Sequence, residues 1–251
     1  MLKFIENIGD RVIRVILESY DFIFFLFYCL GQFFLIGNYD KKAKDFLLEQ
    51  IYLSCIKYFV SFIMFALIFG SVIIMVSLSL TLNFNLFDQF GNLLVFFMLN
   101  EFTPFFTTLF FVFTYSLATK ERIDSIKDQR DNIVAQIYLP KLFNSIFIFP
   151  LMSLLFVTMM LFSGYLFASL YMNLDFVTYN HLIINSIEVK NILILFTKSS
   201  LFGFVSVLIP LYLSKKNKKL TQEITKSFIK TLVMILMAII IIELLFIGIF
   251  Y

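Results

Sequence analysis

Tryptophan is absent from the 251 residues, histidine occurs once, cysteine twice, proline four times and glycine eight times. Each shortage excludes something. Two cysteines, Cys29 and Cys55, make no disulfide framework and offer no metal-binding spacing. The single histidine, His181, is expected in a loop, without a partner histidine or cysteine nearby, and forms no zinc-type site. No glycine-rich phosphate loop is present, so the chain does not bind ATP through one. Charge is scarce too: 15% of the residues are charged, against roughly a quarter in a soluble domain. That excludes an ordinary water-soluble enzyme. Disorder is excluded as well, because disordered chains are poor in aromatic and apolar residues.

What the sequence has is apolar length. Hydrophobic residues make up 61%, Phe alone numbers 36, and the mean hydropathy is +0.93. A membrane helix needs about 20 apolar residues to cross a core about 30 Å thick. Five stretches qualify: 58–82, 91–119, 142–172, 192–214 and 231–251. Pro104, Pro150 and Pro210 fall inside them and are expected to kink their helices. The stretch 22–37 is too short to cross and reads as a short membrane-embedded segment. Before it, Lys3, Glu6, Asp10, Arg11, Arg14 and Glu18 share one face at helical spacing, with Leu2, Phe4, Ile8, Val12 and Val15 opposite. Residues 2–18 therefore read as an amphipathic helix on the membrane surface, not as a signal peptide. The fold class is an all-α polytopic membrane protein.

Lysine and arginine in short loops set orientation. They crowd the segment before span one, the loop after span two and the loop after span four. The other two loops hold only Lys190 between them. The expected N-terminus is therefore cytoplasmic and the C-terminus lies on the far side. The loop after span two carries charges of both signs from Lys120 to Asp131, with Ile123, Ile126, Ile133 and Ile137 at near-helical spacing. A short cytoplasmic helix over 120–139 is expected, either a solvated connector or a docking element for a partner.

Glu101, Lys198 and Glu243 lie inside spans, where each costs about 2.5–3.5 kcal/mol at a helix centre. Counted at 1.5 Å per residue, they sit about 15, 9 and 12 Å from the far-side ends of their spans. Three charges at similar depth fit one cavity that opens to the far side. The alternative is a structural ion pair between Lys198 and one acid that holds helices together.

These same residues carry a resemblance. Glu101-Phe102-Thr103-Pro104 resembles the Glu-Leu-Gly-Pro motif of MlaE-type permeases, membrane subunits of ABC transporters that work with MCE proteins. Glu121-Arg122-Ile123-Asp124-Ser125-Ile126 resembles that family's Glu-Gln-Ile-Asp-Ala-Leu, followed by Pro140-Lys141 in place of Pro-Arg and then by Pro150. Lys198-Ser199-Ser200-Leu201-Phe202-Gly203 resembles its Lys-Ser-x-x-Phe-Gly, and Glu243 falls where the family often has an acid. The pieces occur in family order over roughly residues 48–250. There are departures: Asn100 replaces a frequent Arg, Thr103 replaces the motif glycine, and a Phe-rich run follows where the family is rich in glycine and alanine.

The resemblance implies a single permease domain over 1–251 that acts as a homodimer in the bacterial inner membrane. It implies a cytoplasmic ABC ATPase that docks on the coupling helix through Glu121, Arg122, Asp124, Lys127, Asp128 and Arg130. It implies a periplasmic MCE-domain protein and a phospholipid cargo, moved between membranes to maintain outer-membrane lipid asymmetry. Nucleic acid is not among the implied partners. Hydrolysis belongs to the ATPase, so no catalytic residue, cofactor or metal is expected on this chain. The polar cavity positions would be Asn100, Glu101, Lys198 and Glu243, with Met75, Leu99 and phenylalanines against the lipid tails. A second reading keeps the buried charges without the ATPase: a channel or secondary carrier that uses Glu101, Lys198 and Glu243 as an ion relay. A third is a scaffold that only anchors an MCE-like protein.

Overall fold

The computed structural model describes residues 2–33, 41–83, 90–116, 137–173, 175–216 and 224–250, and among these every regular element is helical. The elements are α1 (Leu2–Phe33), α2 (Lys41–Ile51), α3 (Phe59–Asn83), α4 (Phe90–Val95), α5 (Thr103–Phe111), α6 (Leu139–Met172), α7 (Phe176–Ile184), α8 (Val189–Lys216) and α9 (Ile224–Phe250). Three π-helical stretches, Tyr52–Ile56, Phe96–Phe102 and Val112–Ser116, interrupt the first two spans. Five helical runs are long and apolar enough to cross a membrane: Lys44–Thr81, Phe90–Thr114, Leu139–Tyr171, Val189–Lys215 and Phe228–Phe250. They coincide with the five expected spans. The expected coupling helix lies outside the described residues, except for its last turn from Ile137.

The polarity is that of a bilayer protein. Ser54, Thr103, Thr107, Thr108, Asn144, Ser145, Ser153 and Ser206 are buried, while Val60, Met64, Ile68 and Val72 line an outward stripe of α3. On α9, Met237, Ile240, Ile241, Leu244 and Leu245 face outward. In water so broad an apolar surface is not tolerated. In lipid, tails are as apolar as leucine, so helices associate through close packing and polar contacts. Gly70 provides such a contact: a Cβ there would stand 2.6 Å from the Met160 Cα and carbonyl oxygen, so α3 approaches the backbone of α6. Gly164 faces Ile74 and the Tyr179 hydroxyl, and Ala168 is buried. This small-residue pair therefore serves packing within the chain.

Most phenylalanines of span two are also spent internally, Phe113 being exposed. Phe62 of α3 meets Phe110, Phe111 and Phe156 at 5.1, 5.8 and 5.4 Å between ring centres. Phe69 meets Phe106 at 4.2 Å, and Phe111 meets Phe149 at 4.5 Å. The Phe-rich run thus fastens span two to α3 and α6, each edge or offset ring pair adding about 0.5–1.5 kcal/mol beyond its buried area.

Four sequence expectations need correction. First, the surface helix and the embedded segment form one helix, α1, through Phe33, because no proline or glycine between residues 10 and 30 breaks it. Phe25 and Cys29 of α1 are buried, and the Tyr212 hydroxyl of α8 donates to the Glu18 carbonyl at 3.2 Å. Second, span one starts earlier than its uncharged core: helix runs from Lys41, because charged residues outside the hydrocarbon do not end a helix. Third, His181 is not in a loop but on α7. Fourth, Lys141 belongs to the first turn of α6 and is buried, its Nζ 5.8 Å from the Phe46 ring centre, so Lys198 is not the only base within the spans.

Candidate functional site

Span two does not run as a plain α-helix where its acid sits. The stretch Phe96–Phe102 is π-helical, and the Thr103 amide donates to the Met98 carbonyl five residues back. Pro104 follows at the start of α5. In an α-helix the Asn100 carbonyl would accept from residue 104, but proline has no N–H to give. The amide donor four residues on is therefore missing. Lys198 of α8 donates to this carbonyl, with Nζ 2.9 Å from the Asn100 oxygen.

The same ammonium gathers both intramembrane acids. Lys198 Nζ donates to Glu101 at 3.0 and 3.1 Å from the two carboxylate oxygens. Glu243 of α9 brings Oε2 to 2.6 Å from the same Nζ. That contact is made through one carboxylate oxygen. The Phe246 ring, three residues on and so on the same face of α9, lies 5.6 Å from Nζ at cation–π range. Lys198 is fully buried, while the Glu101 and Glu243 side chains keep 22% and 18% of their surface. The lysine is thus the closed centre, and the carboxylates form its accessible rim. Its three donors are all directed at oxygens. Two carboxylates around one ammonium leave the cluster with a formal charge of −1.

The local sequence explains how Lys198 is held. Ser200 Oγ donates to the Ile146 carbonyl at 3.0 Å, Phe202 is buried, and a Cβ on Gly203 would stand 2.7 Å from the Ser145 oxygen and the Phe149 ring. The run Lys198 to Gly203 therefore clamps α8 to α6. Asn100 is buried, and its Nδ2 donates to Asn191 Oδ1 at 3.3 Å, tying span two to the start of α8. Leu99 is buried beside it in sequence. Met75 is 58% exposed on the outer face of α3 with Val72 and Val76. Glu121, Arg122, Asp124, Lys127, Asp128 and Arg130 lie outside the described residues. The Asn100 carbonyl is legible in hindsight from a proline four residues downstream, and Phe246 from its i+3 spacing to Glu243. Nothing in the sequence marks Asn191.

Among the described residues no group of three or more His, Cys, Asp or Glu is placed to hold a metal. The arrangement holds opposite charges together in a partly open site inside the helical bundle.

A sequence model of the family described as Permease MlaE matches residues 47–249. The chain belongs to the MlaE permease family. The match takes in all five spans and the whole charged cluster. No curated protein matches the chain closely enough to count as a relative. As an MlaE permease it is a membrane subunit of an ABC-type lipid transporter, a transporter component and not an enzyme. The departures within the motif sit at the cluster itself. Asn100 contributes its backbone carbonyl to Lys198 while its side chain binds Asn191.

Proposed function

We propose that this permease carries phospholipid between the inner and outer membranes of a bacterium and so maintains outer-membrane lipid asymmetry. The observation that carries the reading is the charged cluster of Glu101, Lys198 and Glu243 inside a five-span MlaE bundle. Intramembrane charge is expensive, and its usual use is a substrate or ion pathway. The lipid headgroup meets this cluster, and the tails lie along apolar side chains, with Leu99 and Met75 as candidates.

In this reading the chain is a homodimer of single-domain permeases in the inner membrane, N-terminus cytoplasmic and C-terminus periplasmic. Asymmetric placement of lysine and arginine supports that orientation. A separate ABC ATPase docks on the helix around Glu121, Arg122, Asp124, Lys127, Asp128 and Arg130 and supplies the energy. An MCE-domain protein receives or delivers lipid on the periplasmic side. The test is a mild-detergent purification of the tagged chain from its own host, with mass spectrometry of what stays bound. An ATPase, an MCE-domain protein and phospholipid in stoichiometric amounts are expected. A chain that emerges alone after crosslinking, and still moves a solute without an ATPase, would make it a carrier with the same cluster as an ion relay.

A further inference from the structure

The cluster has one more carboxylate than it has ammonium groups, and this bears on which headgroup it accepts. Lys198 is saturated: the Asn100 carbonyl, both oxygens of Glu101 and Glu243 Oε2 surround its Nζ within 3.1 Å. A phosphate reaches that nitrogen only by displacing one of them. The carbonyl has no α-helical donor because of Pro104, and Glu101 binds through two hydrogen bonds. Glu243 meets the nitrogen through one carboxylate oxygen only, where Glu101 uses two. It is the group that gives way. Once displaced, its carboxylate stands beside the incoming phosphate, two anions in a low-dielectric site, and the pair is costly unless a cation comes with the ligand.

The geometry points to an amine-bearing, zwitterionic phospholipid as the preferred cargo, with its phosphate on Lys198 and its ammonium on the displaced carboxylate of Glu243. This rests on the phospholipid reading above. A zwitterion replaces one ion pair by two and leaves no charge unpaired. A lipid that is only anionic, such as phosphatidylglycerol, leaves Glu243 facing a phosphate with nothing between them.

The test loads the full-length detergent-purified permease from vesicles of equal parts phosphatidylethanolamine and phosphatidylglycerol, re-isolates it by size exclusion, and counts bound lipid by mass spectrometry. Wild type is expected to retain the ethanolamine lipid about tenfold over its bulk share, the discrimination that about 1.4 kcal/mol produces. Glu243→Gln removes the surplus charge and should bring the ratio to near unity by raising phosphatidylglycerol. Glu243→Asp keeps the charge and should keep the preference, which controls for misfolding. Retention of both lipids at their bulk ratio by wild type overturns the headgroup assignment and leaves phospholipid transport standing. A preference unchanged in Glu243→Gln overturns the role of Glu243. Wild type that retains no phospholipid from any vesicle overturns this inference together with the reading it rests on.

Discussion

Replacing Lys198 by methionine tests whether the three charges act as a unit. Methionine fills similar length without the ammonium. In wild type both carboxylates approach one nitrogen within about 3 Å, so they stand at most about 6 Å apart. At an effective dielectric of about 20, two unit charges at that separation repel by about 3 kcal/mol. The Asn100 carbonyl also loses its donor, at about 1–3 kcal/mol for a buried polar group left unmade. Removal of one member of a buried ion network costs about 3–5 kcal/mol on mutational experience, in line with these two contributions. For a chain of this size that is a fall in apparent melting temperature of about 6–20 °C. Because membrane proteins unfold irreversibly, the comparison is made at one heating rate by the fraction surviving size exclusion. The triple variant Lys198→Met, Glu101→Gln, Glu243→Gln leaves no surplus charge and should recover most of the loss. If Lys198→Met alone melts within about 2 °C of wild type, the charges are not coupled and the cluster is no unit.

Three further outcomes are expected. Gly70→Val drives a side chain into the Met160 backbone and should cost about 1–3 kcal/mol, read by the same thermal assay, while Gly70→Ala should cost less. Ser54→Ala removes the acceptor of the Asn144 Nδ2 bond at 2.9 Å and a buried bond to the Gln50 carbonyl; a loss of about 1–3 kcal/mol is expected, visible as faster proteolysis near the π turn. Asn173 closes α6 in the left-handed region at φ 53°, so Asn173→Val should cost about 1–2 kcal/mol while Asn173→Gly leaves the melting temperature at or above wild type.

The spans were legible because length and charge exclusion in a bilayer leave little freedom. Glu101, Lys198 and Glu243 were legible as residues of interest for the same reason, and their similar depths, counted from the span ends, fitted one shared cavity. Their arrangement as two acids around one lysine was not legible, since it depends on how α8 and α9 are rotated. Sequence reading weighed a pair, and the structure has a triad. The π turns were hidden as well. Hydropathy does not distinguish hydrogen bonds four residues apart from bonds five apart, and a bond to the turn at Tyr52–Ile56 comes from Asn144 of α6. Lys141 was read as a loop base because its neighbours Lys120 to Arg130 are charged, yet it begins the apolar face of span three. Met75 and the phenylalanines of span two were grouped as one tail pocket on hydrophobicity alone. Only packing separates Phe111, which is buried, from Met75, which faces outward.

The π turns of span two have a consequence for chain length. Such a turn houses one residue more than an α turn, so all that follows is rotated by about 100° relative to an uninterrupted helix. Phe96–Phe102 and Val112–Ser116 therefore act as two adjustable joints, and the segment between them, which buries Thr107, Thr108 and Phe111, has its facing set separately from that of Asn100. Deleting a single residue in the first joint should yield a regular helix of almost unchanged hydropathy that still spans the bilayer, but with those three side chains turned out of the bundle. Insertions and deletions of one residue are thus a means of re-aiming the wall of the permease without altering the number, polarity or order of its helices.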